Sequence, residues 1–202
     1  MKLKSLIIAL AATVALYSCG SDKPAETTTV DSAAAVTYNV NVDSSTVSWK
    51  GSVIKMHSHY GTVKLTEGTV VVKGTALAGG SFKVDLKSIN PLDSGYNKEH
   101  PREGLIGHLS SPDFFATDSF PTASFVIKSV DGSTAIGDLT LRGKTNEEKV
   151  TDIVVAVDSA SVSASGKLIV NRQKYGVAYK STVKDIVLSD DLEISVVLKA
   201  TK

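Results

Sequence analysis

The chemistry that this sequence could support is carried first by its four histidines, His57, His59, His100 and His108. His57 and His59 are two residues apart, so on a β-strand both side chains would project from the same side. Zinc sites use such pairs, with His108 or His100 as a further ligand. However, no aspartate or glutamate is adjacent to the pair in the sequence, and histidines at the rim of a loop are more common than metal ligands. We predict no metal ion and no cofactor, and keep a metal-dependent hydrolase using His57, His59 and His108 as the alternative.

Other catalytic signatures are missing from the sequence. It has no Gly-x-Ser-x-Gly elbow of a serine hydrolase, and no glycine-rich phosphate loop leads from a strand into a helix. With 22 Lys and Arg against 21 Asp and Glu, the formal net charge is +1, which gives no electrostatic basis for binding nucleic acid. We therefore predict a binding protein and not an enzyme.

The first 18 residues have the features of a secretory signal peptide. A charged start is followed by a short apolar segment, residues 6–16, which is shorter than the ~20 residues that a membrane-spanning helix needs. The single cysteine, Cys19, follows where a lipoprotein signal peptidase would cut, so we expect it to be lipidated. The alternative is an ordinary secreted protein with a chance cysteine, because Tyr17 is larger than the residue usual at its position.

Residues 19–36 are rich in Ser, Thr, Ala, Asp and Glu and have no periodic apolar pattern, which predicts a flexible tether. The predicted organisation is therefore a signal peptide at 1–18, this tether, and one folded domain at 37–202. Such a protein would belong to the cell envelope, lipid-anchored to a bacterial membrane and facing the periplasm or the cell surface.

Apolar and polar residues alternate with a period of two through most of residues 37–202, as expected of half-buried β-strands. In residues 81–87, for example, Phe82, Val84 and Leu86 form the apolar set. Strands with one wet face are typical of antiparallel sheets. About eight such strands without crossover helices predict an all-β fold, an antiparallel β-barrel that has no exposed edge. A two-sheet sandwich is the alternative.

One helix is predicted, at residues 97–110, where Leu105, Ile106 and Leu109 lie on one side and Pro101 suits a first turn. After it, Phe114 and Phe115 are predicted to anchor this helical insert to the barrel. Turn-forming residues predict turns at 67–68, 73–74, 78–80, 131–132, 146–149 and 189–191.

A barrel of this size is either filled by its own side chains or encloses one slender ligand. The inward-facing sets include Gly51, Gly137, Ala164 and Gly166, which would leave room inside, although the glycines could instead relieve strand curvature. If the barrel is hollow, the residues predicted to line its cavity are Trp49, Phe82, Val84, Leu86, Leu105, Leu109, Phe125, Ile127, Leu139, Leu141, Leu168 and Ile194.

Arg142 and Arg172 are two of only three arginines in the chain. A guanidinium fork at the mouth of a barrel could bind a phosphate or another polar head group of a ligand. We predict this role for both residues. The alternative is structural, a bond from each arginine to strand-end carbonyls or to Asp113.

Three segments occur in a recognisable order. They are His-Leu, Ser-Pro-Asp-Phe-Phe and Phe-Pro within residues 108–121, Gly-Asp-Leu-Thr-Leu-Arg-Gly-Lys-Thr at 137–145, and Asn-Arg-Gln-Lys-Tyr-Gly at 171–176. Together they resemble the YceI-like family of polyisoprenoid-binding, or lipid-binding, domains. The polar segment at 146–149 departs from the family pattern, in which it is shorter and more apolar. The resemblance implies a lipocalin-like barrel with a helical insert and an apolar tunnel for an isoprenoid chain.

The sequence thus predicts an envelope lipoprotein that binds or carries a long apolar lipid, isoprenoid or quinone-like, without catalysis. Besides the lipid, its expected partner is the membrane that holds the anchor, and the prediction leaves a monomer and a homodimer open. Two alternatives remain at this stage: the metal-dependent envelope hydrolase, and a structural or stress-related envelope module with a filled barrel.

Overall fold

The structure, a computed structural model, describes residues 33–202 except 182, 184 and 185. Residues Ala33–Lys202 form a compact unit of their own. The predicted signal peptide, Cys19 and most of the predicted tether lie outside the described residues. Within the described part of the chain, no helix is both long enough and apolar enough to cross a membrane.

The described residues contain nine β-strands and one α-helix. The strands are β1 (Ala35–Val40), β2 (Thr46–Val53), β3 (His57–Lys73), β4 (Ala76–Pro91), β5 (Thr122–Asp131), β6 (Thr134–Leu141), β7 (Lys144–Val157), β8 (Ser161–Asn171) and β9 (Leu188–Thr201). The helix α1 (Arg102–Ser110) lies between β4 and β5, and short 3₁₀ helices span Val42–Ser44 and Arg172–Tyr175.

Eight of the strands close into an antiparallel barrel, which confirms the predicted fold class. Each strand from β2 to β9 pairs with the next along the chain, and β9 pairs back with β2. Closure leaves these strands without a free edge. The sandwich alternative is therefore wrong.

Strand β1 continues the position of β2 in the barrel wall. It pairs with residues 69–73 of β3 and with the end of β9, whereas β2 pairs with residues 57–63 of β3 and with residues 188–197 of β9. Between them, Asn41 caps the 3₁₀ helix, since its Oδ1 accepts the amides of Asp43 and Ser44, both at 3.1 Å. Strand β1 includes Ala35 and Val36, which belong to the predicted tether.

Of the predicted turns, those at 73–74 and 131–132 connect strands as expected, and four lie inside strands instead. At 67–68 and 78–80 the pairing of β3 with β4 slips by one residue, so the glycines there accompany β-bulges. Residues 189–191 lie within β9, and 146–149 within β7. The turn between β6 and β7 is instead Arg142–Gly143, where both residues have positive φ (50° and 70°), as a type I′ turn requires.

Helix α1 begins five residues later than predicted and ends where predicted. The residues before it form a separate turn, because the Asn97 side chain accepts the amides of Glu99 (2.9 Å) and His100 (2.8 Å). Such local bonds compete with helix formation. At the other end, Ser111 is extended, as expected for a residue that precedes proline.

The two ends of the barrel are built differently, and we name them by what they carry. The β1 end holds β1 and the three short connections at 74–75, 132–133 and 158–160. The helix end holds the connection at 54–56, the insert at 92–121, the turn at 142–143 and the described residues between β8 and β9, which are 172–181, 183, 186 and 187. The core of the β1 end consists of Tyr38, Val40, Val47, Leu65, Val70, Val72, Val162, Leu198 and Ala200, and that of the helix end of Trp49, Ile89, Leu109, Phe114 and Val177.

Candidate ligand-binding cavity

The barrel is hollow and encloses a cavity of 630 Å³, which lies within the ~300–1,000 Å³ typical of small-molecule sites. All twelve side chains predicted to line it do line it, from Trp49 on β2 to Ile194 on β9. The filled-barrel alternative is wrong for this reason. Whether these residues touch a ligand stays a prediction.

The small inward residues do not all act alike. A methyl group built on Gly51 would meet only the Leu192 side chain, at 4.0 Å, so this glycine leaves open space. One built on Gly137 would lie 2.5 Å from the ring of Phe125 and 2.5 Å from the carbonyl oxygen of Val126. Gly137 therefore lets the Phe125 ring lie against β6, and only part of the predicted space comes from missing side chains.

The cavity is closed at the β1 end. Tyr38, Val40, Val72, Val162 and Ala200 lie there beyond its lining, and each is at most 9% exposed. Because these side chains are apolar or aromatic and buried together, they give that end of the cavity an apolar floor.

At the helix end, α1 lies across the cavity and contributes Leu105, His108 and Leu109 to its lining. Arg102, at the start of the helix, attaches it to the end of β4: its Nε donates to the carbonyl of Pro91 at 3.0 Å and its Nη2 donates to Asn90. These bonds fix where the helix begins above the barrel.

Phe114 and Phe115 lie where their predicted anchoring role would place them. Phe114 is buried with Trp49 and Leu109, and Phe115 packs against the helix-end core and against the cluster around Tyr175. The stabilisation that the two rings provide stays a prediction.

All four histidines line the cavity, and all four lie toward its helix end. The rings of His57 and His59 are 5.0 Å apart, whereas the ring of His108 packs against Phe114 (4.8 Å) and Tyr179 (4.5 Å). Among the described residues, no three His, Cys, Asp or Glu side chains lie close enough together to hold a metal ion. The three-histidine metal site of the hydrolase alternative is therefore wrong, because His108 lies among aromatic rings instead.

His59 has an acidic partner that the sequence analysis missed. Its Nδ1 lies 2.8 Å from Oδ2 of Asp93, which is 34 positions away in the chain and follows the end of β4. Burial by itself would raise the pKa of Asp93, but hydrogen bonds from His59 and from the Tyr60 amide outweigh burial and lower it. An ionised Asp93 keeps a proton on Nδ1 of His59, which leaves Nε2 free to bond a ligand.

Arg172 is buried, and its guanidinium is occupied by the backbone. Its Nε donates to the carbonyl of Ser189 (2.9 Å), and its Nη1 donates to those of Val177 (2.6 Å) and Tyr179 (3.1 Å). Its Nη2 lies 3.1 Å from Asp190. Arg172 does line the cavity, so its predicted head-group role stays a prediction, but these bonds favour the structural alternative.

Arg142 is not among the residues that line the cavity, and its predicted head-group role at the mouth stays a prediction. It occupies the β6–β7 turn, where its Nη1 donates to the carbonyl of Gly176 and its Nη2 to that of Pro112, the latter at 2.6 Å. The partners are backbone carbonyls, as in the structural alternative, but they belong to connections instead of strand ends, and Asp113 is not one of them. These bonds hold Arg142 at a φ of 50°, a backbone conformation that is unfavourable for a residue other than glycine.

The three family-like segments therefore meet at Arg142. Pro112 belongs to the first, Arg142 itself to the second and Gly176 to the third. The residues that carry the resemblance thus join the connections of the helix end to one another.

Tyr175, in the third segment, has a buried partner in β7. Its hydroxyl donates to Oε1 of Glu148 at 3.0 Å, and Lys174 lies 3.1 Å from the same oxygen. Burial, with the hydrogen bond to Glu148, raises the pKa of Tyr175. The segment 146–149, predicted as a polar turn at the rim, is part of strand β7, in which Glu148 is buried and Glu147 is exposed.

The chain matches a protein-family model and curated proteins of Staphylococcus aureus. A family model for the YceI-like domain matches residues 38–200. Among curated proteins, a UPF0312 protein of Staphylococcus aureus strain USA300 is 38% identical over 88 residues, which cover 41% of this chain and 52% of the relative. The homologue in strain MRSA252 is 36% identical over the same length. The chain spans about half the length of the curated relatives it matches.

Two solved structures share the fold. BcnA from Burkholderia cenocepacia superposes with a TM-score of 0.66 at 21% identity, over 80% of this chain and 99% of that chain. A polyisoprenoid-binding domain from Saccharophagus degradans, implicated in plant cell wall breakdown, superposes with a TM-score of 0.52 at 12% identity, over 81% of this chain and 97% of that chain. At these identities the likeness is one of fold.

Proposed function

Since the chain belongs to the family of YceI-like domains, we propose that it binds a long apolar lipid, isoprenoid or quinone-like, inside its barrel. The observation that carries this proposal is the cavity of 630 Å³, lined mainly by apolar side chains and closed at the β1 end. The related fold of a polyisoprenoid-binding domain supports it.

Burial of the lipid tail does not by itself explain capture. Moving a methylene group from water into an apolar site is worth ~0.8 kcal/mol. A lipid that starts in a membrane already has its tail in hydrocarbon, so it gains little of this energy on entering the barrel. The shape of the cavity and the contacts of the polar end of the lipid must therefore decide which lipid is held.

The polar groups of the cavity favour one orientation of the ligand. The four histidines lie toward the helix end, and His59 is oriented there by Asp93. Arg172 is the predicted head-group residue that lines the cavity, and its guanidinium donates to the carbonyl of Val177, just after the 3₁₀ helix Arg172–Tyr175. The tail of the lipid would then extend toward the apolar floor at the β1 end, with its polar end among the histidines.

We propose binding without catalysis. The predicted hydrolase alternative would use His57, His59 and His108 together, whereas the ring of His108 packs against Phe114 and Tyr179. A carrier needs only to hold its ligand and release it.

The proposed location is the cell envelope, with Cys19 as the lipid-anchored residue. Cys19→Ser should leave an uncleaved precursor, or release the protein from the membrane fraction, while the barrel still folds. Wild-type mature protein that stays soluble without detergent would contradict the anchor.

The binding proposal is tested by extracting protein purified from its own host with organic solvent and identifying the lipid by mass spectrometry. Phe125→Asp and Leu139→Arg place a charge at the cavity wall and should abolish the co-purifying lipid, because an unpaired charge in an apolar site is costly. Val154→Arg, on the outer wall, is the matched control and should retain it. Folded wild-type protein that carries no lipid and takes up no prenyl lipid or quinone from vesicles would overturn the proposal.

A further inference from the structure

Large exposed apolar side chains are concentrated at the helix end. Of the twelve in the described residues, seven lie in or beside its connections. Phe120 is 37% exposed, and the other six are between 47% and 59% exposed: Ile54, Met56, Tyr60, Leu92, Val183 and Val187. We call these six residues the apolar rim. Backbone hydrogen bonds hold its segments side by side, from the Ile54 amide to the Val187 carbonyl and from the Leu92 amide to the Tyr60 carbonyl, both at 2.8 Å.

The apolar rim is continuous with the cavity. The neighbours of its residues along the chain line the cavity: Val53 and His57 flank the turn that carries Ile54 and Met56, and Ile186 and Leu188 flank Val187. The same short segments thus present one set of side chains to the ligand space and the other to the outside.

The β1 end has no such surface. Its three connections consist of Gly74 and Thr75, residues 132–133, and residues 158–160, and Val36 is the one large exposed apolar side chain of the described residues near it. The chain also enters the barrel at this end, where Ala35 pairs with Lys73. Ala35, at the start of β1, therefore lies at the end opposite the apolar rim.

We propose that the apolar rim docks the helix end of the barrel on the surface of a lipid bilayer, so that the ligand passes between bilayer and cavity without crossing water. This inference rests on the proposed function, because it assumes that the cavity holds a lipid. Six clustered apolar side chains suit the interfacial region of a membrane, into which such side chains insert shallowly. Lys55 lies between Ile54 and Met56, exposed and at a φ of 61°, and its long side chain can place its charge among anionic head groups.

The test uses the chain from Gly20 onward, which keeps the whole compact unit and has no cysteine. Met56→Cys carries a polarity-sensitive fluorophore at the apolar rim, and Val154→Cys carries it on the outer wall as the matched control. On addition of vesicles of phosphatidylethanolamine and phosphatidylglycerol, the label at 56 should shift to the blue and the label at 154 should not. An unchanged label at 56, or equal shifts at both positions, would overturn the proposal.

Binding is measured in parallel by co-sedimentation with the same vesicles. The double variant Met56→Asp and Val187→Asp should bind about tenfold more weakly or worse, while Val154→Asp with Val197→Asp should bind like the wild type. Both variants should keep the wild-type melting temperature, because all four positions are exposed. Equal binding by the rim variant and the wild type contradicts docking, and so does an equal loss in the control.

A second copy of the chain is the competing occupant of the apolar rim. A blue shift at 56 that appears with rising protein concentration in the absence of vesicles, together with a dimer in light scattering, would assign the rim to self-association and overturn the bilayer proposal.

Loading with a prenol added from ethanol separates this inference from the proposed function. The rim variants should load as the wild type does, since the cavity is unchanged. A wild type that docks on vesicles but does not load would instead contradict the proposed function, and would leave the docking result standing.

Discussion

The β1 end and the helix end of the barrel have opposite constructions. At the β1 end the connections are short and a cluster of nine buried apolar residues fills the space between the strands. At the helix end the insert at 92–121 and the connection between β8 and β9 are long, the histidines and a buried arginine lie beside the cavity, and large apolar side chains are exposed. The comparison indicates that the barrel is closed at one end, and the other end is where we propose that the ligand enters and leaves.

The two ends of the barrel also differ in how the backbone groups of their connections are hydrogen-bonded. The short connections of the β1 end join paired strands directly, so few backbone groups need partners outside the sheet. The long connections of the helix end have many such groups, and arginine side chains satisfy them, Arg142 with Gly176 and Pro112, and Arg172 with Val177 and its neighbours. Replacing such an arginine leaves backbone carbonyls without a donor and should therefore destabilise the helix end.

The largest effect is expected at the β1 end. Val72→Asp should lower the free energy of unfolding by about 4 kcal/mol or more, because it places an unpaired charge at a position that is 2% exposed. Val154→Asp, at a position that is 65% exposed, is the control and should change it by less than ~0.5 kcal/mol. Urea unfolding curves measure both. Similar curves for the two variants would mean that the cluster at the β1 end does not hold the barrel closed.

At the helix end, Phe114→Ala should cost ~3 to 5 kcal/mol, as expected for a truncated buried aromatic residue. Phe115→Ala should cost less, because Phe115 is only partly buried. Thermal unfolding checks both, with Phe120→Ala at an exposed ring as the control. If Phe114→Ala melts like the wild type, the insert is a lid that the ring does not fix.

Removing the buried guanidinium should have an intermediate effect. Arg172→Met leaves carbonyls of Val177, Tyr179 and Ser189 without their donor, and we expect a loss of ~2 to 3 kcal/mol. Hydrogen exchange should rise in residues 176–181 and not in β1. Arg172→Lys should recover only part of the loss, because an ammonium cannot reproduce the planar fork. Full recovery by lysine would show that charge alone matters there.

The smallest effect concerns acid stability. The pKa of Asp93 is lowered from its ordinary value of 3.8, so its ionised form stabilises the folded state above pH 3.8, and this contribution is lost as the pH falls through the lowered value. Asp93→Asn should therefore lower stability at neutral pH and flatten its decline in acid relative to the wild type. Unfolding curves at a series of pH values measure the difference. Parallel curves for the two proteins would mean that the bond between Asp93 and His59 contributes nothing.

The cavity lining was largely predictable from the sequence. Alternation along a strand fixes which side chains share a face, so Phe82, Val84 and Leu86 could be assigned to the interior before the pairing of the strands was known. The polar side of the site was less predictable. Alternation does not reveal that Asp93 reaches His59 or that Arg142 reaches Gly176, because both contacts join segments more than thirty positions apart.

The local pattern of residues thus determined the strands, the single helix and the family-like segments, because each depends on neighbours within a few positions. It did not decide between turn and bulge, since a glycine serves both, and the pairing of β3 with β4 settled that choice at 67–68 and 78–80. Only the tertiary structure brought all four histidines to one end of the cavity and made the two arginines backbone donors. Whether a side chain meets a carbonyl, a ring or open space depends on the distance between segments that only closure of the barrel fixes.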